Sequence, residues 1–172
     1  MSADASKALK AITGSSRFEA SAELSTIAQA AAALVDAYPT PTVREDVCRV
    51  YTAADAPDFD LRITWRLDDS PPKGAAAPQF TALKMGEEAG AAATSAYVCF
   101  ACRGTRLPDS LGLAHIAINV RRWMFPTEPE GDIEALKDAY ATVAHSVALA
   151  MAKELRCEKN GGLAERPVLD PA

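Results

Sequence analysis

Hydrophobic positions recur in two rhythms along this chain. The first is helical: Ala5, Leu9 and Ile12 share one face over residues 2–13, with Ser2 placed to cap and Gly14 to terminate. A second helix is expected from about Glu19 to Tyr38. Leu24, Ile27, Ala31, Leu34, Val35 and Tyr38 form its apolar side, and "YPTP" stops it. The period then shortens to two. Residues 47–53 ("VCRVYTA") read as a strand, and "DFDLRITWRLDD" is the clearest strand in the chain. In it Phe59, Leu61, Ile63, Trp65 and Leu67 point one way, while Arg62, Thr64 and Arg66 point the other.

After a loop at residues 70–78, "QFTALKM" is expected as a third strand. Residues 86–94 ("GEEAGAAAT") are too glycine-rich and too short to assign. "SAYVCFACR" and "LAHIAINVRRW" supply two more strands. In the second, Ala114, Ile116, Ile118 and Val120 face one side; His115, Asn119 and Arg121 face the other. A long helix over residues 133–157 follows, with a stripe of Ile133, Leu136, Tyr140, Val143, Val147, Met151 and Leu155. Asp132 is placed to cap it, and the glycines of "EKNGGL" close it.

Two helices, consecutive strands with mostly short connections, and a last helix predict an α+β fold. The expected architecture is an antiparallel meander of about four to five strands, packed by the C-terminal helix and the two N-terminal helices. Residues 1–160 form one domain in this reading, and residues 161–172 an extended tail. Ile63, Trp65, Phe100, Ile118, Tyr140, Val143 and Val147 lie on the apolar phases of their elements and are expected to pack together.

Composition narrows the function. The 172 residues can bury a real core. A net charge of −5 argues against a general nucleic-acid binder, whose affinity rests on a basic face. No apolar run approaches the roughly 20 residues that span a bilayer. The first residues, "MSADASKALKAITG", lack the basic flank and apolar core of a signal peptide, which by itself reads as cytoplasmic.

The cysteines pull the other way. Cys99 and Cys102 are spaced as CxxC, but three residues apart on a strand they face opposite sides, with Cα atoms about 10 Å apart. A disulfide needs about 7 Å or less. Cys102 shares the apolar face with Val98 and Phe100, against which the last helix packs, and Cys157 ends that helix. The phases favour Cys102–Cys157 and leave Cys48 for Cys99. A zinc site normally draws on two close-spaced pairs, and a thioredoxin-like CxxC sits at a helix N-terminus. Neither pattern fits, although four reduced cysteines in a cytosolic protein remain the alternative. Two disulfides imply an oxidising compartment.

The helix end "AMAKELRCEKNGGLAERPVL" resembles small exported or membrane-anchored proteins of actinobacteria, covering about the last quarter of the chain. Those proteins end a helix on a Leu-Gly-Cys-like stretch, followed by an Asn/Gly-rich turn and a Pro-Val segment; here Arg156 stands at the glycine position. The resemblance implies an exported or anchored location and no particular chemistry.

Catalytic motifs are missing. His115 and His145 form no HxH or HExxH pair, and no GxSxG elbow, GxGxxG or P-loop occurs. His145, off the main helical stripe, reads as a surface or boundary residue. No cofactor is expected. One constellation remains, the sheet face opposite the long helix, carrying Arg62, Thr64, Arg66, Tyr97, His115, Asn119 and Arg121. If the two strands are neighbours these residues form a cationic patch suited to an anionic ligand, protein or envelope component. Alternation alone also produces a polar face. Two readings follow. The first is a non-catalytic extracytoplasmic binding domain held by two disulfides. The second is a small cytosolic enzyme or ligand-binding domain built around His115.

Overall fold

The structure, a computed structural model, describes residues 2–20, 26–40, 43–52, 60–74, 76–107, 112–123 and 131–172. Helix α1 (Ala3–Thr13) begins where the Ser2 hydroxyl accepts the Ala5 N–H at 3.1 Å and ends on Gly14, whose φ of 69° is left-handed. Strand β1 (Phe18–Ala20) occupies the start of the expected second helix. Helix α2 (Ile27–Ala37) starts later because Thr26 and Gln29 form a capping box. The Thr26 hydroxyl accepts the Gln29 N–H, and the Gln29 side chain accepts the Thr26 N–H at 2.8 Å. Leu24 falls outside the described residues.

The strands are β2 (Arg44–Thr52), β3 (Asp60–Asp68), β4 (Thr81–Leu83), β5 (Glu88–Ala92), β6 (Ser95–Cys102) and β7 (Ala114–Arg122). Helix α3 (Ile133–Glu154) follows, capped by the Asp132 carboxylate. The described strands form one antiparallel seven-stranded sheet in the order β1-β2-β3-β7-β6-β5-β4. It therefore has more strands than the expected four to five, and it is not one continuous meander. The chain leaves β3 in mid-sheet, crosses to the far edge at β4, and winds back until β7 closes against β3. Phe59 lies outside the described residues.

The inner face follows the alternation. Leu61, Ile63, Trp65 and Leu67 are at most 1% exposed, and Val98, Phe100, Ile116, Ile118 and Val120 are buried beside them. Helix α3 covers this face, while α1 and α2 pack on α3 and α2 reaches β2. All seven expected core residues belong to the resulting cluster. His145 is the exception to the helix reading: it is 2% exposed, not on the surface. A helix held between a sheet and two other helices is buried nearly all round, so a position off the main stripe is buried too.

Helix α3 ends three residues earlier than expected, in a Schellman motif. The Cys157 N–H reaches the Ala152 carbonyl at 2.8 Å and the Arg156 N–H reaches that of Lys153 at 3.0 Å, with Arg156 at φ 55°. Cys157 then lies beside the end of β6 and bonds Cys102, their Cα atoms 5.0 Å apart. The second expected disulfide is absent. Cys48 and Cys99 are free because β3 and β7 lie between β2 and β6. Three inter-strand steps of about 4.8 Å far exceed bonding reach. Cys48 also pairs with inward-facing Ile63, whereas Cys99 pairs with outward-facing Ala117.

Beyond α3 the chain folds back along the body. Leu163 is buried, and Val168 and Leu169 pack against the core. Pro171 bridges Leu83, and the Ala172 N–H donates to the Ala82 carbonyl at 3.0 Å.

Candidate functional site

The outer face of the sheet is built from the other phase of the same strands. Because β3 and β7 are paired, the sequence-derived residues come together. Arg62 lies opposite Arg121, Thr64 opposite Asn119, Arg66 opposite Ala117, and Asp68 opposite His115. Tyr97 extends the middle row from β6. The face divides into two ends of different chemistry.

At one end three guanidinium groups surround a single indole. Arg121 and Arg62 stand 4.4 and 4.6 Å from the Trp123 ring centre, and Arg49 stands 6.0 Å from it. Trp123 is 38% exposed, an unusual position for a large aromatic that no core requires. Arg62 is bonded to Asp46, which also stands 3.6 Å from Arg49. Partial desolvation, then Arg62 and Arg44, hold the Arg121 guanidinium below its usual value. The expected cationic patch is therefore partly neutralised. Arg62 is matched by Asp46 and Arg66 by Asp68 at 2.8 Å, whereas Arg121 joins no ion pair among the described residues. Sequence reading missed Trp123 and Arg49. A tryptophan one residue beyond an apolar-polar strand, next to two arginines, was the available signal.

At the other end the connection over residues 69–80 crosses the outer face on its way to β4. Beneath it lies a cavity of about 450 Å³ lined by Arg66, Glu88, Tyr97, Cys99, Ala117 and Asn119 from the sheet, and by Pro71, Pro72, Lys73 and Phe80 from the crossing. The Phe80 ring meets Tyr97 edge-on at 5.1 Å. The Tyr97 hydroxyl donates to Glu88, and burial first, then that bond, pushes the phenol well above its usual range. Asn119 Nδ2 is buried with no acceptor.

His115 bonds Glu87, with Nδ1 2.8 Å from Oε2. This histidine–carboxylate pair has no hydroxyl or thiol bonded to it among the described residues. The free thiols are equally quiet. Burial, then Asp46, pushes Cys48 up to about 11; burial, then Glu88, pushes Cys99 up to about 12. Neither is a thiolate near neutral pH, so neither is an activated nucleophile. Cys48 lines a separate apolar cavity of about 210 Å³ between β2, β3, α2 and α3, with Ile27, Val47, Ile63 and Val147. Among the described residues no three His, Cys, Asp or Glu side chains converge as metal ligands, and no helix is long and apolar enough to cross a membrane. No known protein family, curated protein or solved structure matches the chain, which leaves its outer sheet face as the basis for reading function.

Proposed function

We propose that this chain is a non-catalytic binding domain that works outside the cytoplasm and docks an anionic protein segment or envelope component on its outer sheet face. The observation that carries the reading is the cluster of Arg49, Arg62 and Arg121 around half-exposed Trp123. On a chain with net charge −5, a local excess of arginine concentrates field and steers negatively charged partners. Arginine with tryptophan is also the pairing found where interfaces concentrate their binding energy. The Cys102–Cys157 bond supports an oxidising compartment, and the quiet thiols, with a His115–Glu87 pair that no hydroxyl or thiol joins among the described residues, support binding over catalysis.

The chain has two tryptophans, and Trp65 is fully buried, so a ligand-induced emission change reports on Trp123. Titration with polyglutamate or with phosphatidylglycerol vesicles is expected to shift that emission, and added salt to weaken the response. The two probes separate a protein partner from an envelope one. Arg62→Glu combined with Arg121→Glu should weaken binding about tenfold or more while the protein stays folded. If neither probe perturbs Trp123, or the charge-reversed protein binds as well, the reading fails.

A further inference from the structure

The cavity beneath the 69–80 crossing has a layout distinct from the tryptophan cluster and shares no residue with it. Arg66, Ala117, Cys99 and Glu88 stand in one row across β3, β7, β6 and β5. The two central side chains are small, and the two outer ones are long and of opposite charge. That sequence of sizes makes a hollow floor with a cation at one wall and a carboxylate at the other. The end Cα atoms are about 14 Å apart, three strand spacings. The crossing adds Pro71, Pro72 and Phe80 to the lining of the hollow, together with a second cation, Lys73. At about 450 Å³ the space lies within the range of small-molecule sites.

The wall groups pair in part with one another, Arg66 with Asp68 and Tyr97 with Glu88, and each pairing leaves bonding capacity over. Asn119 Nδ2 is a buried donor without an acceptor, a state that protein interiors rarely tolerate and that a ligand oxygen would relieve. Arg66 gives its Nε and one terminal nitrogen to Asp68, leaving the other terminal nitrogen. At the opposite wall one Glu88 oxygen accepts the Tyr97 hydroxyl, leaving the second carboxylate oxygen in a cavity that the Tyr97 and Phe80 rings also line. A carboxylate next to aromatic rings suits an ammonium group.

A simple anion here would face Asp68, Asp69 and Glu88, and a simple cation would face Arg66 and Lys73. A molecule carrying both charges leaves neither wall uncompensated. We propose that the cavity binds a small zwitterion of dipeptide size. Its carboxylate lies toward Asn119, Arg66 and Lys73, and its ammonium toward Glu88. Two extended residues reach about 7 Å. The side chains of Arg66 and Glu88 fill the rest of the 14 Å span.

Isothermal titration of the full chain with alanylalanine, its N-acetyl form and its C-terminal amide tests this. The free dipeptide should bind, and each blocked form should bind at least about tenfold more weakly. Glu88→Gln should weaken the dipeptide similarly. Asn119→Ala, which removes no bonded partner, provides a second variant should loss of the Tyr97 contact disturb folding. Amide shift changes should centre on Glu88, Tyr97 and Asn119. Arg62→Glu with Arg121→Glu should leave dipeptide affinity unchanged, which separates this site from the anionic docking surface. Absence of binding at millimolar dipeptide, equal binding of the blocked forms, or unaltered binding by Asn119→Ala would each overturn the assignment.

Discussion

Arg156 shows how one residue can carry strain in an otherwise regular device. It occupies the left-handed position of the Schellman motif with φ 55°, where a side chain is disfavoured and glycine is not. Arg156→Gly should therefore stabilise the protein, by roughly 0.5–1 kcal/mol after the added freedom of glycine in the unfolded chain is subtracted. A raised urea midpoint checks it. His145 makes a second prediction at this scale. Burial lowers its pKa, opposed by the Ala164 backbone and by Glu165. An unfolded imidazole protonates near pH 6.5, the folded one only at lower pH. Between the two the unfolded state holds the extra proton, so stability is full above about pH 6.5 and declines as pH falls through the folded value. His145→Gln should flatten that decline in urea midpoints measured across the interval.

At the scale of elements, helix α3 organises the molecule, because the sheet and both other helices meet on it. Val143 is fully buried within it. An unpaired aspartate there costs several kcal/mol against a total of roughly 5–15, so Val143→Asp should abolish cooperative unfolding by circular dichroism. The long alternations and the long helical stripe were legible because each buries one whole face, which fixes the period. Strand β5 was not. Its Ala and Gly residues have little strand propensity, and Gly90 is there because of its neighbours. A Cβ on Gly90 would lie 2.7 Å from the Tyr97 ring and 3.0 Å from Phe80, so the position is kept empty for aromatics from other elements. The start of α2 was misread for a local reason: the run of alanines hides the Thr26–Gln29 box that begins the helix.

For the whole molecule, the order of strands decides which cysteines can meet. Helix and strand phases were enough to pair Cys102 with Cys157. They could not exclude Cys48–Cys99, because phase says nothing about how many strands intervene. The same topology explains what was legible in the candidate site. Residues 62, 64, 66, 115, 119 and 121 share a face by alternation and become neighbours because β7 returns to β3. The cavity depends on a crossing that joins mid-sheet to the far edge, a long-range event with no local signature.

The last residues of the chain run beside β4, where Pro171 bridges Leu83 and the Ala172 amide bonds Ala82. An open sheet offers a row of unused amides and carbonyls at its rim, a template on which another chain can polymerise. Here the protein occupies that template itself, and Pro171, having no amide hydrogen, is a poor platform for a further strand. Removing residues 170–172 should leave the monomer folded yet prone to concentration-dependent association, visible by sedimentation velocity. A truncated protein that stays monomeric at high concentration would show that the rim is protected by something else. On this view the C-terminal segment acts as a selvedge, keeping the woven edge of the sheet from taking up another thread.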